Sequence, residues 1–233
     1  MKGVQFNIRG EFAHFRNPYT ISFFETLLAP PKTTIAGILG AAMGLDEKET
    51  IEFTKKIRAG IKIRKIAGFM KELTTFYNLK SKKEPTKTPI LREVIVKPEY
   101  TIYIGSEDDD LVDQIISALK APEHPLYLGI SDYIAQHDSI TEVEFSEIEN
   151  DSFECVIPYS KDIKYIPENI NLKPGAFYIA PKVYRTVLEY KYSPKGRIPV
   201  RFIDLIMFYG YTLKLSKAMK AFKTSKGEVV YLI

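Results

Sequence analysis

Hydrophobic and polar positions alternate from the first residues. In residues 2–9, KGVQFNIR, Val4, Phe6 and Ile8 share one side, which predicts a half-buried strand. Residues 10–32 follow as a long connection studded with prolines and aromatics, and a connection of that length in a compact domain is usually functional. The spacing changes at Ile35–Met43. Small residues (Ala36, Gly37, Gly40, Ala41, Ala42) predict a thin helix over 34–43, with Thr33 as its N-cap and Gly44 closing it. Asp46 with Glu49 three residues on predicts a second helix start, running through Ile51, Phe53 and Ile57 towards Gly60.

Isoleucine alternates with lysine or arginine over 61–69, predicting a strand with one apolar and one cationic face. A further strand is predicted over 92–104, with Pro98 marking an edge or bulge. Residues 70–91 between them read as a basic arm projecting from a hairpin. Residues 107–120 predict a helix with an acidic first turn and a buried stripe of Leu111, Val112, Ile115, Ile116 and Leu119. A short apolar strand and a turn at Gly129 are expected in 125–135, and a strand over 140–145. The order strand, helix, strand, strand, helix, strand is the ferredoxin-like pattern shared with RNA-recognition modules. From 156 on, strand signals at 175–180, 183–191, 199–209 and 227–232 dominate, with a short helix expected near 215–222. The expected fold is therefore α+β. A ferredoxin-like, RRM-like domain covers 1–150, with the arm at about 70–91, and a smaller, mostly β domain covers 151–233.

Charge sharpens this picture. The net charge of +4 conceals a segregation: residues 55–97 carry +10, residues 98–155 carry −14 and residues 156–233 carry +9. Such blocks imply a polyanion-binding face and a face for a cationic partner, or two blocks that neutralise each other across the fold. A single cysteine, Cys155, rules out an internal disulfide framework and fits a reducing cytoplasm. Three scattered histidines and that cysteine argue against structural zinc, and no GxxxxGK[ST], GxGxxG or HExxH motif is present. Neither a bilayer-spanning stretch nor a signal-peptide core is present, so a cytoplasmic protein is expected.

Candidate chemistry gathers in two places. Phe12, His14, Phe15, Arg16 and Tyr19 form an aromatic and cationic cluster. Lys32, Thr33 and Thr34 at the start of the thin helix form a phosphate seat, or only the capped end of a packed core helix. The arm adds Lys71, Lys80, Lys82, Lys83 and Lys87 with Phe76 and Tyr77, a mixture suited to single-stranded RNA, or a solvated loop. Asp108, Asp109 and Asp110 read as a solvated helix start rather than a metal cluster.

Three segments carry a family resemblance: RGEFAHFRNPYT (9–20), PPKTTIAGILGAAMGL (30–45) and PLYLGISDYIA (125–135). In this order they resemble the CRISPR-associated Cas family five, a branch of the RAMP superfamily found in type I effector complexes (Cascade). The subtype I-A and I-B branches are the most similar. The resemblance covers residues 1–145 well and the β-rich remainder loosely, and the arm matches the position of the family's thumb. It implies a subunit that binds the 5′ handle of CRISPR RNA, caps the backbone beside its first subunit and touches the large subunit. Target DNA is then met only through the complex, and no metal or cofactor is needed. Carried onto this chain, Arg9, His14, Phe15, Arg16, Lys32, Thr33 and Thr34 would contact the handle. Gly129, Ser131 and Tyr133 would meet flipped bases, and the arm lysines would hold phosphates.

Two other functions compete. One is a metal-independent endoribonuclease, as in the family's subtype I-C branch, with His14, Tyr19 and Lys32 as base, acid and phosphate cation. That branch resembles a tyrosine with an adjacent Lys-His pair, whereas here His124 follows Glu123 and His137 follows Gln136. The other is a stand-alone RNA binder outside any complex.

Overall fold

A computed structural model of the chain describes residues 1–78, 86–170 and 177–233. It is a mixed α+β structure in which strand predominates. The N-terminal alternation becomes β1 (Lys2–Gly10). The long connection is not featureless, because it holds β2 (Phe12–Ala13), β3 (Phe15–Arg16) and β4 (Thr26–Leu27). Helices α1 (Lys32–Met43) and α2 (Glu47–Lys56) follow, then β5 (Arg58–Lys65). The arm is a regular antiparallel pair, β6 (Gly68–Asn78) and β7 (Thr86–Val96), in register from Gly68 opposite Val96 to Asn78 opposite Thr86. β8 (Glu99–Gly105), α3 (Asp109–Lys120) and β9 (Ala135–Phe153) complete the first half. Six strands follow: β10 (Ile157–Pro158), β11 (Tyr165–Glu168), β12 (Ile179–Lys191), β13 (Ile198–Tyr209), β14 (Thr212–Thr224) and β15 (Val229–Val230).

The main sheet runs β11-β14-β9-β1-β8-β5, with β15 added to β14. Its central part places β9, β1, β8 and β5 side by side, every neighbour antiparallel. Val4, Phe6 and Ile8 of β1 are buried in one apolar cluster with Ile35 and Leu39 of α1 and Ile115 and Leu119 of α3. A second cluster joins Tyr103, Phe145 and Phe153 to Phe208, Leu213 and Val230, so the sheet is also covered where the C-terminal strands lie. The helices end as their residues dictate. Asp46 and Glu49 form a reciprocal capping box on α2, and Gly44 closes α1 in the left-handed region at φ 70.

Several expectations are corrected. The alternation over 92–104 predicts one strand, but Lys97 takes φ 47 and Pro98 follows it, so the chain turns there from the arm into the main sheet. The 61–69 strand likewise ends at Lys65, and Gly68 already belongs to the arm. Ahead of β9, residues 125–134 contain no strand, only an isolated bridge between Tyr127 and Ile134 across a loop. Thr33 is not the N-cap of α1. Pro31 holds that position, and its carbonyl takes both the Thr34 and Ile35 amides, at 2.8 and 3.0 Å. The helix expected at 215–222 is strand β14. Lysines at 214, 217, 220 and 223 mimic helical spacing, but Leu213, Leu215 and Ala221 are buried and the backbone pairs with β9 and β11.

The charged blocks partly interleave. Arg58 meets Glu107 at 3.3 Å and Lys62 meets Glu154 at 2.6 Å. Lys214 meets Asp151 at 2.7 Å, Lys220 meets Glu147 at 2.8 Å and Lys2 meets Asp113 at 2.6 Å. Sheet pairing therefore brings cations from three segments onto the acidic block, and neutralisation accounts for part of the charge segregation. Among the described residues, no helix is long and apolar enough to cross a membrane.

Candidate nucleic-acid interface

The short strands after β1 lie against the root of the arm. Phe12 pairs opposite Val96, and Phe15 pairs opposite Leu27. The Phe24 amide donates to the Leu91 carbonyl at 2.8 Å, while the Glu93 amide donates to the Phe24 carbonyl at 2.9 Å. Backbone pairing thus fixes His14, Arg16 and Phe24 beside Arg92 of β7.

These residues line a cavity of about 390 Å³ with Phe15, Thr34, Gly129, Ile130 and Arg197. His14 is 3% exposed. Its Nδ1 lies 2.8 Å from the Glu93 carbonyl, which can only accept, so Nδ1 carries the proton and Nε2 is left as an acceptor. Burial, with the Arg92 and Arg16 charges nearby, lowers the His14 pKa and keeps the ring neutral. Nε2 is buried and has no hydrogen-bond partner. Arg16 is exposed, with its guanidinium 4.0 Å from the centre of the Phe24 ring.

Arg92 knits the cavity to the arm. It sits directly opposite Glu72 in the hairpin and bonds it at 2.9 Å, and the Tyr133 hydroxyl donates to the same carboxylate oxygen at 2.9 Å. The Arg92 Nε–H remains buried and unpaired. Tyr133 belongs to the loop of Gly129. That glycine is at φ +97, and a Cβ there would lie 1.9 Å from the His14 carbonyl oxygen. The loop reaches His14 because position 129 carries no side chain.

The remaining expected residues scatter. Arg9 pairs with Asp138 of β9. Tyr19 is 53% exposed in a turn whose amide is held by the Asn17 side chain at 3.1 Å. Lys32 is buried, and desolvation lowers its pKa despite Glu189 nearby. Neither Tyr19 nor Lys32 lines the His14 cavity. Thr34 does, whereas Thr33 and Ser131 line a larger groove of about 720 Å³ with Gly37, Ala41, Leu45 and Tyr127. Lys71 and Lys87 are exposed on β6 and β7. Phe76 and Tyr77 belong to β6, while Lys80, Lys82 and Lys83 lie outside the described residues. Among the described residues no group of three or more His, Cys, Asp and Glu gathers to hold a metal. The Asp108 carboxylate instead caps α3, accepting from the Leu111 amide at 3.2 Å. Sequence reasoning misses Phe24, Glu72, Arg92 and Arg197.

A family model described as CRISPR-associated protein (Cas_Cas5) matches residues 3–202. The crystal structure of a CRISPR protein from Archaeoglobus fulgidus aligns with 99% of this chain and 98% of its own, at 12% identity and a TM-score of 0.61. A chain described as CRISPR RNA-guided surveillance complex aligns over 92% of this chain and 91% of its own, at 13% identity and a TM-score of 0.56. At such identities the likeness is one of fold. A third structure, described as a crystal structure of Cas protein, is 20% identical over 57% of this chain, with a TM-score of 0.41; the chain spans 58% of that protein's length. No curated protein sequence matches the chain.

Proposed function

The chain belongs to the CRISPR-associated Cas5 family, and from that premise we propose that it is a non-catalytic, RNA-binding subunit of a type I CRISPR effector complex. It holds the 5′ handle of CRISPR RNA, caps the backbone beside a backbone subunit and the large subunit, and meets target DNA through the complex. It works in the cytoplasm. The single observation that carries this reading is the cationic and aromatic cavity at the root of the arm. Arg16 on Phe24 offers a flat cation for stacking, and exposed Lys71 and Lys87 line the way along the hairpin. The order β9-β1-β8-β5 with α1 and α3 supports a ferredoxin-like unit in 1–150, with the hairpin as its basic thumb. Residues 151–233 form the β-rich remainder. The likeness to the I-A and I-B branches belongs to the same proposal.

The geometry favours binding over cleavage. A metal-free ribonuclease needs a base, an acid and a cation around one phosphate. His14 offers an acceptor, but Tyr19 and Lys32 lie outside its cavity.

The test is to co-express the tagged chain with a CRISPR repeat array, recover bound RNA and sequence its ends. One fixed 5′ end from the repeat supports handle binding. Mixed cellular RNA would make the chain a stand-alone binder. Site-specific cleavage of repeat RNA by the purified wild type, lost in His14→Ala, would make it an endoribonuclease.

A further inference from the structure

The cationic face expected over 61–69 is only partly answered in the fold. Arg58 and Lys62 of β5 meet Glu107 and Glu154. Arg64 is exposed and, among the described residues, forms no ion pair or hydrogen bond. It lines a cavity of about 500 Å³ with Lys62, Glu154, Asn169, Phe208 and Tyr211. This cavity lies between β5 and the turn from β13 to β14, and it shares no lining residue with the cavity of His14.

Tyr211 is 8% exposed and its ring stacks on Phe208, with centroids 5.2 Å apart. Its hydroxyl is buried and has no hydrogen-bond partner. Burial raises the pKa of that hydroxyl, so it keeps its proton and can donate. The carboxylate on the wall is already answered, because Glu154 accepts from Lys62 at 2.6 Å and from the Thr212 hydroxyl at 3.4 Å. Lys62 and Arg64 together outweigh Glu154, and the two groups left open, the Arg64 guanidinium and the Tyr211 hydroxyl, both donate. A buried donor without a partner costs free energy that a ligand oxygen recovers. The count of oxygens selects the ligand. A carboxylate has two, and an arginine fork takes both, leaving Tyr211 unpaired. A phosphate monoester has three terminal oxygens, enough for the fork and the hydroxyl. The volume suits a molecule of nucleotide size.

We propose that this cavity is a phosphate-monoester site, which takes the phosphate of a free nucleotide or of an RNA 5′ end. The inference goes beyond the handle-binding reading above and does not depend on it.

The experiment titrates the full-length protein at low salt with AMP and with adenosine, and with a short RNA carrying or lacking a 5′-phosphate. In at least one pair the phosphorylated member should bind about tenfold more tightly, the worth of a charge-assisted hydrogen bond. A preference in the AMP pair assigns the site to a free nucleotide, and one confined to the RNA pair assigns it to a strand end. Arg64→Gln should abolish the preference. Tyr211→Phe should weaken it about threefold without lowering the melting temperature, because the hydroxyl has no protein bond to lose. Lys195→Gln, which removes an exposed charge between β12 and β13, should leave it unchanged. No preference in either pair overturns the inference and leaves the handle-binding reading untouched. Equal losses in Arg64→Gln and Lys195→Gln also overturn it, because surface charge alone then accounts for binding. So does a Tyr211→Phe protein that melts lower and keeps the full preference, because the hydroxyl then serves the fold.

Discussion

The cavity at the arm root and the groove beside α1 share Arg197 and draw on consecutive residues of α1, Thr34 and Thr33, yet they are chemically opposite. The groove is nearly twice as large and is floored by Gly37, Ala41, Leu45, Ile51 and Ile134. Its charged rim is internally answered, with Arg197 bonding Glu47 at 3.0 Å. The cavity is smaller and keeps unpaired hydrogen-bonding atoms of both signs. Volume alone would select the groove, whereas polar atoms left without partners select the cavity. A surface with its bonds already made has little to offer a polar ligand.

The contrast is sharpest in two glycines. Replacing Gly129 with alanine forces a Cβ into the His14 carbonyl at a backbone angle that L residues avoid. The expected cost is about 3 kcal/mol, a fall of about 6–12 °C in melting temperature, with RNA affinity lost as the loop withdraws. Unchanged melting and binding would mean the loop does not shape the cavity. A smaller effect comes from pH. His14 is held below its usual pKa near 6.5, so the unfolded chain takes up a proton that the folded chain refuses. Stability should therefore be full above pH 6.5 and fall as the pH drops through the window between 6.5 and the lowered folded-state value, by at most about 1.4 kcal/mol per pH unit. Denaturant unfolding of wild type and His14→Phe across that window checks this, and the slope should vanish in the variant. The smallest effect belongs to the groove. A Cβ added at Gly37 meets nothing within 4 Å on an exposed helical face. Gly37→Ala should raise stability by about 0.5–1 kcal/mol through helix propensity and leave RNA affinity unchanged. Lost RNA affinity would show the groove to be part of the RNA path.

The sequence made some of this legible and hid the rest for identifiable reasons. His14 and Arg16 stand out because cations and rings crowd one short stretch. Arg92 and Glu72 do not, because only the hairpin register sets them opposite each other twenty residues apart. Phe24 reads as one of two adjacent phenylalanines until its backbone joins β7. The helix at 107–120 and the capping box at Asp46 were clear because both are local devices. The reach of β9 was not. Its polar, acidic course over 146–153 reads as the boundary between two domains, and it becomes strand because β14 supplies the backbone partners.

That strand has a mechanical consequence. β9 is 19 residues long; its first part is bonded to β1 and its last part to β14. One continuous rod thus carries load for both ends of the chain. Neither end can melt without loosening strand pairing that the other relies on, so heat should release the described body in a single cooperative transition. A cut made in β9 near Asn150 should weaken the grip on RNA through a break remote from the cavity.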